Sequence, residues 1–291
     1  RAFDRGDLLG PHLFTCGWFI TTSAGHFVRS GAALQVDGPE GFRRALREQM
    51  AAGVDFIKLN LSGGIMGPAW DRIDCTFPLP DELETAFALC RQRGFKVVAH
   101  ATSPEAVKAA VRLGAHSVEH GYVLDDEAVH LMAQQGTCYV PTLTLSHLLP
   151  ETAETPWERE VAARRNLPDD YRRRALDAIP AHDEAVRRAI RAGVRIASGS
   201  DVAPARDGGL AEPLYLVRAG MRPWEAIVAA TRTAAEVCGA ADRLGTVEPG
   251  KLADLLVLDA NPLDDIHNLR RLRLVLKEGR VVAPHAPALP L

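Results

Sequence analysis

The sequence is poor in cysteine and has no closely spaced cysteine pair. Its five cysteines are scattered through 291 residues, and none forms a C-x-x-C motif. An odd, dispersed set argues against a disulfide framework and against a zinc site built from cysteines, and it is typical of a reducing compartment. We therefore expect a cytoplasmic location.

Long hydrophobic runs are also missing. No apolar stretch approaches the roughly 20 residues of a membrane-spanning helix. The N-terminal RAFDRGDLLGPH lacks the basic-then-apolar order of a secretory leader. We expect no membrane association. The chain begins with Arg rather than Met, so the sequence is compatible with a preceding segment.

The sequence has no excess of positive charge. The formal net charge is −3, and the one dense basic run, RRR at 172–174, lies in a charge-rich helical segment. Such a run is typical of a solvated helix face. We therefore expect a small-molecule substrate and no nucleic-acid partner.

Strand and helix patterns alternate along most of the chain, which predicts an α/β fold with a parallel sheet and outer helices. Strand patterns begin near residues 12, 54, 95, 116, 138 and 194. A closed barrel needs about eight strands, so two alternatives stay open: a barrel without its first two strands, or an open doubly wound sheet. After residue 239 the pattern changes to short strands with a turn near residue 278. We place a barrel domain at 1–238 and a β-sandwich portion with a tail at 239–291.

The open sheet would favour nucleotide binding, which requires a glycine-rich phosphate loop. The SGGIMG segment at 62–67 is rich in glycine. It lacks the G-x-G-x-x-G and G-x-x-x-x-G-K spacings and does not open directly into a helix. The sequence therefore disfavours this alternative.

Two histidines end successive strand patterns. VVAH ends at His100 and SVEH ends at His120, with a helix pattern between them. The carboxyl ends of parallel strands open into the mouth of a barrel, and neutral imidazole is a good zinc ligand. We predict that these two histidines bind a metal, whereas His116, at the start of its strand, is a structural residue.

Four further residues belong to the predicted site. Lys58 lies in the buried strand DFIKLN, on one face with Phe56 and Asn60. Its amine either pairs with a carboxylate or reacts with CO2 to give a carbamate that bridges metal ions. Asp201 ends RIASGSD, where it can bind a metal and accept a proton, or cap a turn. His26, in a loop, and Tyr122, after His120, are candidate substrate contacts.

The motifs, in their order, resemble the amidohydrolase superfamily. They are similar to its imidazolonepropionase-related branch, which includes dipeptidases that act on Xaa-Pro substrates. The matching segments are TTSAGHF, AGVDFIKLNLSGG, VVAHA, HSVEHG, YVPTL, SGSD and RLGTVEPGKLADLLVLDANPLDDI. The resemblance covers nearly the whole chain and implies a (β/α)8 TIM-type metallohydrolase barrel with a small β-sandwich.

The resemblance also implies a reaction and its cofactor. A dipeptide-like or cyclic amide would lose an amide or other C–N bond to a hydroxide activated by metal. Two ions, zinc or other divalent metals, would be bridged by carboxylated Lys58. His100 and His120 would ligate one ion. Asp201 would ligate the other and act as general base and acid.

Two features depart from the family pattern. The family's first strand ends in a His-x-His pair, and this sequence contains none. Residue 1 aligns just after the family's second strand, so we expect two barrel strands and half of the sandwich to be missing. Thr102 also occupies a substrate-facing position where relatives often carry Tyr or His.

A second function therefore stays open beside the hydrolase. The chain would be a truncated or inactive amidohydrolase-like fragment that acts as a scaffold or needs a partner chain. An incomplete barrel exposes strand edges, which invite pairing. We expect a homo-oligomer or a missing N-terminal segment to cover them, and poor solubility of this segment alone.

Overall fold

Six short parallel strands form the main sheet. The structure is a computed structural model that describes residues 3, 7 and 10–284. The spatial order is β2-β1-β3-β4-β5-β6, and every neighbouring pair is parallel. The carboxyl ends of the strands therefore meet along one edge of the sheet. The strands are β1 (Phe19–Thr21), β2 (Ala33–Gln35), β3 (Ile57–Asn60), β4 (Val97–Ala101), β5 (Ser117–His120) and β6 (Cys138–Val140).

Helices follow the strands and cover the sheet. Their apolar side chains and those of the strands form one large buried core. None of the helices in the described part of the chain is long and apolar enough to cross a membrane. The helices are α1 (Gly38–Ala51), α2 (Pro80–Arg93), α3 (Pro104–Leu113), α4 (Asp126–Gln135), α5 (Leu143–His147), α6 (Pro156–Arg165), α7 (Asp169–Arg191), α8 (Ala205–Arg218), α9 (Pro223–Val228) and α10 (Ala234–Cys238), with a π-helical turn (Ala229–Thr233) between the last two.

Helix α3 shows how local sequence sets the element boundaries. The side chain of Ser103 caps the helix by accepting a hydrogen bond from the backbone N–H of Ala106. Pro104 follows at the first helical position, where its missing N–H costs nothing. Gly114 ends the helix at φ 95°, a left-handed conformation that glycine adopts without strain. These signals were readable in the sequence, and the predicted helix is confirmed.

Two predicted strands need correction, and one observed strand was not predicted. The predicted strand at 194–201 is reduced to a single bridge between Ile196 and Tyr139. Tyr139 and Ala197 make the two hydrogen bonds of this bridge, and Pro141, the next position in the chain after β6, has no N–H to extend the ladder. Strand β2 was not predicted, because Ala33–Gln35 is only three residues long and partly exposed. The strand predicted from residue 12 is limited to Phe19–Thr21.

The chain after α10 forms a separate small antiparallel sheet, as predicted. Its strands are β7 (Leu255–Leu258), β8 (Leu272–Lys277) and β9 (Arg280–Pro284), and a 3-10 helix (Ile266–Arg270) precedes β8. Glu278 and Gly279, at φ 51° and 78°, make the tight turn between β8 and β9. The domain division at 238/239 stays a prediction. The predicted C-terminal tail lies outside the described residues beyond residue 284, as do residues 1, 2, 4–6, 8 and 9.

Candidate functional site

A cavity of about 460 Å³ opens at the carboxyl ends of strands β3 to β5. Its volume is in the range of small-molecule sites, about 300–1,000 Å³. All six residues selected from the sequence line this one cavity, although they come from distant segments. They are His26, Lys58, His100, His120, Tyr122 and Asp201.

Lys58 reaches the cavity because side chains alternate along β3. Ile57 and Leu59 are 0% and 1% exposed and pack into the core. Phe56, Lys58 and Asn60 lie on the opposite face and line the cavity, as predicted. Among the described residues, no hydrogen bond or ion pair engages the Lys58 amine. The prediction of a paired lysine therefore finds no partner within that part of the chain.

The charge of Lys58 acts on the ionisable groups around it. Desolvation by the surrounding protein raises the pKa of Glu119 and of Asp201, and the lysine charge opposes that rise. Burial lowers the pKa of His100 and of His120 well below the usual value, and the lysine charge lowers both further. The two histidines are therefore neutral near pH 7, the form in which imidazole binds a metal.

His100 is oriented by the loop that follows β3. It is 4% exposed, and its Nε2–H donates to the carbonyl of Gly63 at 3.0 Å. That hydrogen bond fixes the tautomer, so Nδ1 carries a free lone pair. Nδ1 has no hydrogen-bond partner in the described residues and is available to a ligand of the cavity.

His120 reaches the cavity by a turn of its backbone. Alternation along β5 places Val118 in the core, and His120 would follow it to that face. Its φ of 70° turns the side chain instead, so that its ring lies 4.5 Å from that of His100. Nδ1 donates to Thr142 Oγ1 at 2.7 Å, because that hydroxyl gives its own proton to the Pro141 carbonyl. Nε2 of His120 is thereby left as an acceptor.

Asp201 lines the same cavity as the residues of β3 to β5. It follows the extended segment 194–200 and has φ 52°. The residue is exposed at the cavity and forms no hydrogen bond or ion pair with a described residue. The surrounding protein still raises the pKa of its carboxyl. A carboxylate with free oxygens at a cavity can serve as a proton acceptor and donor.

Tyr122 packs beneath His120 and also faces the cavity. Its ring lies parallel to that of His120, with the centroids 6.0 Å apart. The residue is 1% exposed, and its hydroxyl has no hydrogen-bond partner in the described part of the chain. A buried, unsatisfied hydroxyl at a cavity wall fits the predicted substrate contact.

Two acidic residues of the site were missed in the sequence. Asp71 accepts a hydrogen bond from Nδ1 of His26 at 2.8 Å. It lies in an irregular loop, and no periodic signal connects it to His26. Glu119 lines the cavity and accepts a hydrogen bond from Ser117 at 2.7 Å. Alternation along β5 could have indicated Glu119, because Ser117 and Glu119 share the face that points away from the helices.

The donor set fits a divalent metal in part. No group of three or more His, Cys, Asp or Glu residues in the described chain is arranged to hold one. His100 Nδ1 and His120 Nε2 are nevertheless neutral, free and on adjoining rings. Zinc sites use about three or four protein ligands. Further ligands could come from Asp201, which was predicted as a ligand and lines the same cavity, or from Lys58 as a carbamate.

The chain is similar to known proteins over most of its length. The amidohydrolase family profile matches residues 1–282. Ochratoxinase from Aspergillus niger is 30% identical, with 91% of this chain and 58% of that protein covered. Imidazolonepropionase from Geobacillus kaustophilus is 30% identical over 70% of this chain and 43% of that protein. A crystal structure of a Xaa-Pro dipeptidase with bound methionine has a TM-score of 0.84 and 31% identity, covering 96% of this chain and 70% of that one.

These likenesses confirm the predicted fold type and superfamily. The chain spans a little over half the length of the ochratoxinase and less than half that of the imidazolonepropionase. It aligns with the dipeptidase structure over almost all of its own length, so the parallel sheet is of the TIM-barrel type of these relatives. The profile extends over nearly the whole chain. The chain therefore belongs to the amidohydrolase family.

Proposed function

We propose that the protein is a metal-dependent amidohydrolase that cleaves an amide or other C–N bond of a small dipeptide-like or cyclic amide substrate. The observation that carries the proposal is the convergence of Lys58, His100, His120 and Asp201 on one cavity. Solved relatives that include a Xaa-Pro dipeptidase support the choice of an amide bond.

Zinc is the proposed metal. His100 Nδ1, His120 Nε2 and a carbamate on Lys58 would hold it. To form the carbamate, the lysine amine adds CO2 and releases one proton. When bound, the metal polarises a carbonyl and lowers the pKa of water. The free amine of Lys58 and the absence of competing hydrogen bonds on the two imidazole nitrogens support this assignment.

Asp201 moves the proton in the proposed reaction. Its raised pKa and free oxygens suit it to take a proton from the attacking water and to deliver it to the departing nitrogen. His26 and Tyr122, which line the same cavity, would orient the substrate. Aromatic and aliphatic side chains would hold its unreactive part and exclude water. They are Phe19, Phe27, Phe56, Ile65, Met66 and Leu145.

An alternative function is favoured by the incomplete ligand set. In it, the chain is an amidohydrolase-like scaffold that is inactive, or active only when a further segment or partner chain supplies ligands. Among the described residues, no group of three or more His, Cys, Asp or Glu is arranged to hold a metal ion. Zinc binding by the protein alone separates the two proposals.

The test is hydrolysis of a panel of Xaa-Pro dipeptides and N-acyl amino acids by the purified full chain, together with metal analysis. We expect activity that a chelator removes and that zinc restores. Substoichiometric metal, with no activity regained on adding zinc, manganese or iron, would contradict the hydrolase proposal and favour the scaffold.

A further inference from the structure

Asp71 is a buried carboxylate behind the wall of the cavity. Its side chain is fully buried, and both carboxylate oxygens lie within 2.9 Å of Nδ1 of His26. The same carboxylate accepts the backbone N–H of Gly64 at 3.1 Å. A buried charge is costly unless hydrogen bonds satisfy it, and here they come from an imidazole that faces the cavity.

The contact with Asp71 determines which nitrogen of His26 is available. A carboxylate only accepts hydrogen bonds, so Nδ1 of His26 carries the proton. Nε2 forms no hydrogen bond with any described residue. The ring lies against that of His100, with centroids 4.1 Å apart and an interplanar angle of 21°. His26 therefore presents a free acceptor nitrogen beside the predicted metal ligand.

The loop around Asp71 is shaped to hold this pair of residues. A Cβ atom added to Gly67 would lie 1.8 Å from Oδ2 of Asp71, and one added to Gly64 would lie 2.6 Å from Cε1 of His26. Neither position can carry a side chain without moving the pair. The carbonyl of Gly63, in the same loop, orients His100. One loop thus fixes both stacked imidazoles.

We propose that Asp71 is a positioning residue that holds His26 as its Nδ1–H tautomer, with Nε2 presented to the substrate. This inference rests on the proposed function. An acceptor nitrogen selects amides that carry a hydrogen-bond donor, such as a free amino group, close to the scissile carbonyl. Removing the carboxylate frees the ring to rotate or change tautomer, and the preference for such substrates is lost.

A double-mutant cycle tests the proposal through activity. Asp71→Ala and His26→Ala should each lower kcat/KM by about 10–100-fold, the usual effect of removing an orienting partner. The double variant should be no worse than the worse single one, because Asp71 acts through His26. Asp74→Asn, in the same loop but exposed and paired with Arg72, is the matched control and should keep full activity. Additive losses would overturn the proposal.

Substrate preference distinguishes the proposed positioning role of Asp71 from a purely structural one, which would leave the preference unchanged. A dipeptide with a free amino terminus and its des-amino analogue are compared in the wild type and in Asp71→Leu, which has a similar volume and no hydrogen-bond acceptor. We expect the ratio of their kcat/KM values to fall toward unity in the variant. An unchanged ratio would refute the selection of a donor by His26.

An NMR measurement separates this inference from the proposed function. In protein with 15N-labelled histidine, the signal that disappears in His26→Ala should show a protonated Nδ1, and Asp71→Leu, which removes the acceptor, should shift it toward the other tautomer. A wild-type signal with protonated Nε2 would overturn the inference. If the protein hydrolyses no amide, the proposed function fails. The NMR measurement of the His26 tautomer still tests whether Asp71 positions His26.

Discussion

Two groups of histidines lie side by side in this protein and differ in what surrounds their nitrogens. His26, His100 and His120 face the cavity, whereas His147 and His182 are buried behind it. Tyr122 separates the groups: its ring centroid is 6.0 Å from that of His120 and 4.5 Å from that of His182. Residue type and burial alone do not distinguish them.

Hydrogen bonds engage three of the four imidazole nitrogens of the buried group. Nδ1 of His147 lies 2.9 Å from both Ser146 Oγ and the Leu143 carbonyl, and its Nε2 contacts Asp183 at 3.1 Å. Nδ1 of His182 contacts Ser146 at 3.2 Å, whereas its Nε2 is buried without a hydrogen-bond partner in the described part of the chain. Burial lowers the pKa of His182 to about 3, so this ring is neutral and belongs to the core.

The comparison shows what makes a histidine available for chemistry. In the cavity group one nitrogen is held by the protein and the other is free, as for His100 and His120. In the buried group no nitrogen faces a cavity within the described residues. The predictions below test whether this difference separates function from stability.

The largest effect should follow Lys58→Ala, because only the cavity group has a lysine with a free amine. We expect kcat/KM to fall by at least about 10³-fold, equivalent to about 4 kcal/mol of transition-state stabilisation. Bound metal should fall as well. Lys108→Ala, which removes a lysine paired with Asp125, is the control and should retain both. An active Lys58→Ala enzyme would refute the carbamate.

His120→Ala should lower activity by about 10²–10³-fold, with loss of zinc, since one of the two histidines proposed to hold the metal disappears. Metal analysis and kcat/KM measure the two losses. His130→Ala, an exposed histidine on α4, provides the comparison and should change neither. Full zinc content in His120→Ala would show that the cavity histidines do not hold the metal.

His182→Ala should behave in the opposite way. Removing this fully buried side chain leaves a cavity and should lower the free energy of unfolding by about 2–4 kcal/mol. Zinc content of the folded protein should stay at the wild-type value. Urea denaturation and metal analysis of the same sample measure both. A loss of zinc without a loss of stability would erase the distinction between the two groups.

The smallest effect concerns pH. The hydrogen bond from His147 holds the pKa of Asp183 below its ordinary value, despite partial burial. A carboxyl whose pKa is depressed in the folded state stabilises the protein above its unfolded pKa, about 3.9. That stabilisation is lost as pH falls through the lower folded value.

The free energy of unfolding should therefore fall less in Asp183→Asn than in the wild type when the pH is lowered from 6 to 3. The difference should be about 1 kcal/mol or less, because the carboxylate is partly exposed. Urea denaturation at the two pH values measures it. Asp177→Asn, exposed on the same helix, should match the wild type. A wild-type response in Asp183→Asn would exclude the His147 contact as a source of acid sensitivity.

The order of strands and helices made much of this site predictable. Parallel strands end at the same edge, so residues at the ends of successive strand patterns had to be neighbours. This placed Lys58, His100 and His120 around one cavity, with Asp201 after a later extended segment. The two buried histidines lie on helices and were not selected.

What remained hidden depends on backbone conformation and on distant contacts. Alternation alone would have turned His120 into the core, and only its positive φ brings it to the cavity. Asp71 meets His26 across 45 residues, through a loop without periodicity. Strand β2 is only three residues long, and the segment at 194–201 makes a single bridge because Pro141 cannot extend the hydrogen-bond ladder of β6. Such features follow from tertiary packing.

The central claim is that the cavity histidines bind a metal and the buried ones do not. Anomalous diffraction at the zinc absorption edge, from crystals of the full chain grown with zinc, tests it directly. The account predicts a peak about 2.0–2.1 Å from His100 Nδ1 and His120 Nε2, with carbamate density on Lys58. A peak at His147 and His182, or no peak in crystals of protein that hydrolyses amides, would contradict it.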